Sequence, residues 1–431
     1  MGQVVGVGIF LTPAAMAKSL GSPFWLLVVW LVMGGMALCG ALCYGALATR
    51  FPEAGGGYAY LREAWGPRLA FLYGWECLLV MDPGLTAALA TGVAAYASAI
   101  VPLEAGSQKA VAIGSVLLLA SANAFGLRVG DGILRLVTVL KLGALGFLVA
   151  WGPARGLGDS AHFLPFVDQH PGSAPLVPAL GGATVAAFFS FGGWWVAANI
   201  GEEVRDPERT LPRALALGVA TVTVIYVLVS ASFVYLVPMG AVASGETFAA
   251  QAGAALFGPA GGAILAAVVV LCVLGSAAAF LLLAPRVYYA MARDGVFLES
   301  VGRLHPRFGT PARAISIQAL LASLFIAVGT FDEIVGYFVF ATVAFVALTV
   351  AGVFVIDRRA AAAATLRSRI PGYPLTPVVF LLLSCLVLGL VAANRPLQAS
   401  LGVLVVALGA PVYQWVAAGK RSRVRTEGGM A

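Results

Sequence analysis

Long apolar runs dominate the chain, and short charged or Pro- and Gly-rich stretches separate them. A bilayer core about 30 Å thick is crossed by about 20 apolar residues in an α-helix. The runs at 69–100 and 260–292 exceed one perpendicular crossing, so we expect them to tilt or to project from the membrane. The pattern predicts an all-α polytopic membrane protein with about twelve transmembrane helices, over residues 3–20, 24–49, 69–100, 109–126, 131–152, 178–201, 213–237, 260–292, 314–330, 334–356, 374–393 and 397–418.

Composition supports a membrane location. Of the 431 residues, 61% are hydrophobic and 10% are charged. A soluble domain carries about a quarter charged residues, so this chain has too few to cover a surface that faces water. The same numbers exclude disorder, and continuous rather than alternating apolar runs argue against an outer-membrane barrel. The lipid bilayer is therefore a predicted partner.

The basic residues predict an orientation. The net charge of +7 does not indicate a nucleic-acid partner, because Lys and Arg lie between the apolar runs. With the N-terminus placed inside, the only Lys and Arg residues outside the inner loops are Lys18, Lys109, Arg155 and Arg395 in outer loops and Lys141 within a span. Cytoplasmic loops carry an excess of Lys and Arg. The sequence thus predicts a multi-pass protein of the cytoplasmic (inner) membrane with both termini in the cytoplasm.

Enzyme and metal chemistry are not indicated. The three His and five Cys residues show no spacing typical of metal ligands, and no set of catalytic side chains converges within the spans. A channel would need a continuous polar lining, which the spans lack. We therefore expect no metal, no cofactor and no enzymatic activity.

Glycine pairs interrupt two of the predicted helices, at Gly6-Val7-Gly8 in the first span and at Gly192-Gly193 in the sixth. Small residues also serve close helix packing, but non-helical backbone at membrane depth is typical of a site that lines a cavity. The first and sixth spans are equivalent if the first ten helices form two inverted five-helix repeats. The predicted organisation is a first repeat at 1–152, a second repeat at 178–357, two additional helices at 374–418 and a basic cytoplasmic tail at 419–431.

A discontinuous helix exposes main-chain groups that suit a zwitterion. One half leaves N–H groups unpaired at its start, and the other leaves C=O groups unpaired at its end. A substrate carboxylate would be held by amides near Val7, Gly8 and Ile9. A substrate ammonium would find carbonyls near Phe189 and Ser190. This arrangement predicts recognition of an amino-acid backbone without a charged side chain in the site.

Several motifs resemble those of the amino acid-polyamine-organocation superfamily, especially its L-type amino-acid transporters and their prokaryotic relatives. They are GVGIF-x-x-P, FGGWW-x-x-x-N-x-x-EE-x-x-x-P-x-x-x-LPRA, and RVYYAMARDG followed by HPRFGTPARA. The resemblance implies a five-plus-five inverted repeat with two further helices, and alternating-access transport of amino acids. Proton symport and exchange with a second amino acid remain alternative driving modes, and a polyamine or cationic amino-acid antiporter is the alternative function.

The resemblance also implies a substrate site. Phe189 matches an aromatic residue that lies over the substrate in such transporters. Trp195 stands where relatives often have a polar residue, which predicts a narrower or more apolar pocket, and Val7 stands where many have serine. The predicted substrate-binding residues are Gly6, Val7, Gly8, Ile9, Phe189, Ser190, Phe191, Gly192, Gly193 and Trp194.

Three ionisable residues within spans are further candidates, because a charge inside a membrane is costly unless paired or solvated. By resemblance, Lys141 replaces the sodium ion of other members, either as a proton carrier or as a permanently charged structural pin. Asp82 precedes a kink at Pro83 and could pair with Lys141, favour a cationic substrate, or be solvated in a cavity. For Glu76 we expect a side chain that snorkels or pairs with a loop.

The N-terminus departs from the relatives, which have a further half-helix before the first glycine motif. Five residues precede Gly6 and rise about 8 Å as a helix, too little to seal half a bilayer. We expect either a true start upstream or an incomplete form with impaired gating.

Overall fold

The computed structural model describes residues 8–53, 55–126, 131–242, 248–362 and 370–428, in which every regular element is helical. This confirms the predicted all-α fold class. The α-helices are α1 Gly8–Leu20, α2 Pro23–Arg50, α3 Gly57–Trp65, α4 Pro67–Glu76, α5 Asp82–Ile100, α6 Ala105–Ala124, α7 Asp131–Arg155, α8 Leu176–Phe191, α9 Pro207–Leu236, α10 Phe248–Phe257, α11 Pro259–Leu283, α12 Arg286–Arg293, α13 Glu299–Gly302, α14 Ala312–Val328, α15 Phe331–Ala362, α16 Leu375–Asn394 and α17 Pro396–Gly428. Short 3-10 helices cover Ser160–Phe163, Trp194–Glu203 and Met239–Ala241, and a π-helix covers Cys77–Met81.

Each of the twelve predicted spans coincides with helical segments over its described residues. In the described part of the chain, ten segments are long and apolar enough to cross a membrane. The other two predicted spans are shorter: α1 has 13 described residues and α14 has 17. Hydropathy locates such segments well, because a spanning backbone in lipid must satisfy its polar groups internally.

The two overlong runs are interrupted helices. The run at 69–100 consists of α4, the π-helix and α5, with Pro83 as the second residue of α5. A proline removes one N–H donor and its ring crowds the carbonyl four residues earlier, so the hydrogen-bond ladder is disturbed at this point. The run at 260–292 divides into α11 and α12, with Pro285 immediately before the second helix.

Small residues let the helices of the centre approach closely. Helix α1 packs on α8, and α2 packs on α9. A Cβ atom on Gly8 would lie 2.5 Å from the Cα of Ser190, and one on Gly34 would lie 2.3 Å from Cγ2 of Thr223. Both distances are shorter than real Cβ contacts, so neither position has room for a side chain. The first span therefore lies against the sixth, and the second against the seventh.

Candidate functional site

The sixth span breaks at its glycine pair. Helix α8 ends at Phe191, and the N–H of Gly192 turns back to donate to the carbonyl of Phe189 at 2.9 Å. Gly193 follows with φ +93°, a conformation that glycine adopts without strain, and the chain resumes as a 3-10 helix at Trp194. The predicted interruption is thus present in the sixth span.

The described part of the first span begins beside this break. Helix α1 starts at Gly8, and the predicted site residues Gly6 and Val7 lie outside the described residues. Gly8 and Ile9 are buried. Because an added Cβ on Gly8 would lie 2.5 Å from the Cα of Ser190, the first described residue of α1 lies against the last turn of α8.

Hydroxyl groups join the two helices. Thr12 donates from Oγ1 to the carbonyl of Gly8 at 2.9 Å, and its Oγ1 lies 2.9 Å from Oγ of Ser190. Ser190 in turn lies 2.8 Å from the carbonyl of Ala186. Each of the two hydroxyl groups has one proton and two lone pairs, so each can donate to only one of its two neighbours in this row of contacts. These hydrogen bonds connect main-chain carbonyls of α1 and α8 through Ser190, which the sequence had indicated, and Thr12, which it had not.

Two buried tyrosines fix carbonyls at the site. Tyr226 of α9 donates from its hydroxyl to the carbonyl of Ser190 at 2.9 Å, and Tyr96 of α5 donates to that of Phe10 at 2.6 Å. The sequence analysis missed both. The sequence feature that could have indicated them is a tyrosine within an apolar run, because a buried tyrosine hydroxyl usually has a hydrogen-bond partner. The carbonyl of Ser190 is thus already engaged, with one lone pair left for a second donor.

Three phenyl rings, which we call the aromatic cover, lie together at the last turn of α8. They are Phe189, Phe331 at the start of α15, and Phe338 one to two turns further along α15. The ring of Phe189 lies 5.4 Å from that of Phe331 and 6.0 Å from that of Phe338, edge to face in both pairs. Phe189 is buried. The aromatic cover therefore packs the first two turns of α15 against the end of α8, next to the glycine break.

The aromatic residues around the break form an apolar wall. Trp194 packs edge to face on Tyr44 and on Trp195, with ring centroids 5.1 and 5.3 Å apart. Phe191 packs on Trp30 and Tyr226. An apolar crevice adjoins this wall and is lined by Met33, Met36, Ala37, Phe188, Phe191, Trp194 and Phe380.

Lys141 lies between the fifth and eighth spans. Its side chain is 1% exposed, and Nζ donates to Oγ of Ser276 on α11 at 2.5 Å. Ser276 lies one turn after Cys272 and contacts the carbonyl of Cys272 at 3.3 Å. The predicted role of Lys141 in coupling stays a prediction.

The two buried carboxylates have partners that the sequence did not indicate. Asp82 accepts a hydrogen bond from the hydroxyl of Tyr288 on α12 and, within the described residues, forms no ion pair with Lys141. Glu76 accepts one from Thr342 of α15 at 3.2 Å. Glu76 is 0% exposed, so the expectation that it snorkels or pairs with a loop is wrong. Helix α15 covers this side of α4 and leaves the carboxylate no path to water.

An ionic group, which we call the arginine cluster, joins α3 to the segment after α12. Arg62 donates to Glu53 and to Asp294, both at 2.7 Å, and to Glu63 at 3.1 Å. Tyr58 donates to Asp294 at 2.8 Å. Burial alone would lower the pKa of Arg62, but the hydrogen bonds to the three carboxylates outweigh it and raise that pKa. Burial, followed by the bond to Asp294, raises the pKa of Tyr58.

No group of three or more His, Cys, Asp or Glu side chains in the described ranges is placed to hold a metal ion. The described members of the predicted substrate site carry no charged side chain. The described residues offer main-chain acceptors at the end of α8 and an apolar wall beside them.

Comparison with known proteins extends over nearly the whole chain. The family model described as "Amino acid permease" matches residues 1–410. The chain is 28% identical to the serine/threonine exchanger SteT of Bacillus subtilis, over 96% of this chain and 93% of that protein. It is 28% identical to the b(0,+)-type amino acid transporter 1 of Homo sapiens, over 83% and 73% of the two chains. It is also 27% identical to the large neutral amino acids transporter small subunit 2 of Homo sapiens, over 96% and 77%.

Proposed function

Because the chain belongs to the amino acid permease family of the amino acid-polyamine-organocation superfamily, we propose that it moves small or medium-sized neutral amino acids by alternating access. It is a multi-pass membrane transporter rather than an enzyme. The observation that carries the proposal is the break at Gly192–Gly193 beside the start of α1.

The substrate would lie between the first and sixth spans. Its carboxylate would accept from amides in the segment Gly6–Ile9, because the start of a helix carries the positive end of its dipole. Its ammonium would donate to carbonyls at Phe189 and Ser190, each of which has one described donor and one lone pair left. Uncharged side chains in the described site support a neutral amino acid over a polyamine, since a second cationic group would have no counter-charge there.

Exchange is the driving mode that we favour. The Bacillus subtilis relative is named as an exchanger, and this chain covers 93% of that protein. Proton symport is the second candidate, because Lys141 carries an ionisable group into the bundle beside Ser276. In the first mode the Lys141 ammonium stays charged and pins α7 to α11; in the second it loses its proton once per cycle.

We propose the cytoplasmic membrane as the location, with the arginine cluster at the inner end and both termini inside, from the distribution of Lys and Arg. The two inverted repeats would occupy 1–152 and 178–357, with α16 and α17 outside them.

Uptake by proteoliposomes tests the transport proposal. Purified protein would be reconstituted and offered labelled neutral amino acids, with and without internal unlabelled amino acid and with and without a pH gradient. We expect uptake that depends on internal amino acid. Uptake that follows the pH gradient alone would replace exchange by symport, and absence of uptake across the panel would refute the substrate class.

A glycine variant tests the helix break directly. Gly193→Ala places a Cβ on a residue with φ +93°, where an alanine is strained, so we expect loss of uptake without loss of expression. The matched control is Gly182→Ala within α8, whose added Cβ meets nothing within 4 Å. Equal uptake by the two variants would contradict a role for the break.

A lysine variant separates the two driving modes. Lys141→Ala should abolish any accumulation driven by a pH gradient if the ammonium carries the proton. The exposed Lys109→Ala on α6 is the control. Gradient-driven accumulation that survives in Lys141→Ala would remove the carrier role.

A further inference from the structure

Three buried oxygen atoms near the π-helix have no hydrogen-bond donor among the described residues. They are Oε2 of Glu76, Oδ1 of Asp82 and Oε1 of Gln318. Glu76 and Gln318 are 0% exposed and Asp82 is 1% exposed. All three atoms are acceptors, so the region lacks protons rather than lone pairs. Burial of such groups without a partner is costly, and for an ionised carboxylate it is most costly of all.

The three side chains belong to one connected region. Glu76 and Asp82 flank the π-helix, a distortion that is frequently found at functional sites. Gln318 of α14 donates from Nε2 to Oγ1 of Thr86 at 3.0 Å, and Thr86 donates to the main-chain carbonyl of Asp82 at 2.7 Å. The amide oxygen of Gln318, on a different helix, is thus a further acceptor without a donor near the two carboxylates.

No positive charge among the described residues pairs with these carboxylates. Neither forms an ion pair with any described residue, although the structure holds other ion pairs at its ends. Helix α11 has no charged residue, and the basic residues of α6 and α14, Lys109 and Arg313, lie at exposed helix starts. The titratable groups that face Glu76 or Asp82 are Tyr44 of α2, Tyr73 of α4, Cys77 of the π-helix, Tyr288 of α12 and Tyr337 of α15. All five are neutral when protonated, so the two carboxylates, if ionised, would face each other's charge without relief.

We propose that Glu76 and Asp82 form a proton-binding site, and that the proton on Glu76 holds α15 against α4 and α5 and so keeps the aromatic cover closed. The ligand is the proton itself, which turns an acceptor oxygen into a donor and removes the buried charge. The inference rests on the proposed transport function and adds a control of access to it.

One face of α15 carries both the proton site and the cover. Thr342 binds Glu76, and Phe345, three residues later, packs edge to face on Tyr73 at 5.8 Å. Phe338, four residues before Thr342, packs on the ring of Phe189. It also fills the space over Gly84, where an added Cβ would lie 2.9 Å from Cβ of Phe338. A shift of α15 at Thr342 therefore moves a ring of the cover.

Loss of the proton would lead to such a shift. An ionised Glu76 needs water or further donors around both oxygens, and it gains them when the α15 face separates from α4. Separation withdraws Phe338 from Phe189 and opens the substrate site. Return of the proton restores the closed arrangement.

Infrared spectroscopy tests the site without any transport assay. A protonated carboxyl has a carbonyl stretch distinct from that of a carboxylate, and the reconstituted protein would be recorded near neutral pH. We expect a protonated-carboxyl band that Glu76→Gln and Asp82→Asn each reduce. The exposed Glu104→Gln is the matched control and should leave the band unchanged. A spectrum in which neither variant reduces the band shows that both groups are ionised and overturns the proposal.

Exchange at equal pH on both sides tests the control of access. Labelled serine exchange would be measured from about pH 5.5 to about pH 7.5, with no gradient to drive symport. We expect the rate of the unaltered protein to rise severalfold with pH, and Glu76→Gln to stay at the low rate throughout. An unchanged pH profile in Glu76→Gln refutes the control of α15, and a sodium dependence at fixed pH that Glu76→Gln abolishes replaces the proton by a metal cation. If no amino acid is exchanged at all, the proposed function fails, while the infrared result still decides the proton site.

Discussion

The aromatic cover and the arginine cluster hold α15 near its start and near its end by different chemistry. The cover consists of three phenyl rings, with Phe331 at the start of α15. The cluster surrounds Arg62, and Arg359 near the end of the same helix adds a bond to the carbonyl of Glu63 at 2.7 Å. Ring packing depends on shape and is indifferent to salt. Partly exposed ion pairs are screened by salt and contribute little each.

The difference indicates how each end opens. Arg62 is 26% exposed at its side chain and reaches three carboxylates, so water already competes for its bonds. The end with the cluster can therefore separate one bond at a time. The cover has no polar atoms to share with water, and its rings part together or not at all. Four substitutions test this contrast, in order of decreasing effect.

Phe189→Ala should have the largest effect. It removes the ring shared by both edge-to-face pairs of the cover, and truncation of a buried phenylalanine costs about 3 kcal/mol of stability. Thermal unfolding in detergent measures the loss, and it should be the same at low and high salt. Phe147→Ala, which truncates a ring that is 46% exposed, is the control and should cost much less. A salt-dependent loss in Phe189→Ala would contradict an apolar closure.

Arg62→Ala should come next. It removes three ion pairs that are partly exposed, and we expect a loss of about 1.5 kcal/mol at low salt. High salt should reduce the difference from the unaltered protein, because it screens the pairs that the variant lacks. The measurement is thermal unfolding over a salt series. A loss that stays constant with salt would show that Arg62 stabilises through its packed stem rather than its charge.

Tyr58→Phe should have a smaller effect that depends on pH. It removes one hydrogen bond to Asp294, worth about 1 kcal/mol. The folded pKa of Tyr58 is raised, so its contribution is complete below the ordinary phenol pKa of about 10 and is lost as the pH rises further. Unfolding temperatures between about pH 8 and about pH 11 should converge for the two proteins. A gap that widens over that range would reverse the assigned sign.

Arg303→Ala should have the smallest effect. Arg303 pairs with Glu299 one turn earlier at 3.1 Å, and both side chains are largely exposed. Such a pair contributes about 0.3 kcal/mol. Its loss should be near the resolution of a thermal scan. A larger loss would mean that exposed ion pairs in general stabilise the protein near the arginine cluster, so the cluster would not differ from them.

The sequence predicted the features that depend on local pattern. Apolar run length located the ten helical segments that are long and apolar enough to cross a membrane, and glycine pairing located the break at Gly192–Gly193. The apolar run and the glycine pair each determine structure within a few residues of their own position in the sequence.

Features that depend on distant partners escaped the sequence. Arg62 and Asp294 are 232 positions apart, and Glu76 and Thr342 are 266 apart. A single sequence gives no indication of which polar side chains will meet across such distances. The prediction for Glu76 was wrong for this reason. Its position along the span could be read from the sequence, but the packing of α15 over its carboxylate could not.

The interruption at Gly192–Gly193 has a consequence for how selectivity can evolve. Peptide N–H and C=O groups are common to all residue types, apart from the missing N–H of proline, so in the proposed site a substitution that keeps the glycine conformation at Gly193 would leave the groups that hold a zwitterion in place. The neighbouring side chains, such as Trp194 and Trp195, would determine the shape of the pocket instead. Mutations can therefore change which amino acid fits while conserving the means by which any amino acid is held.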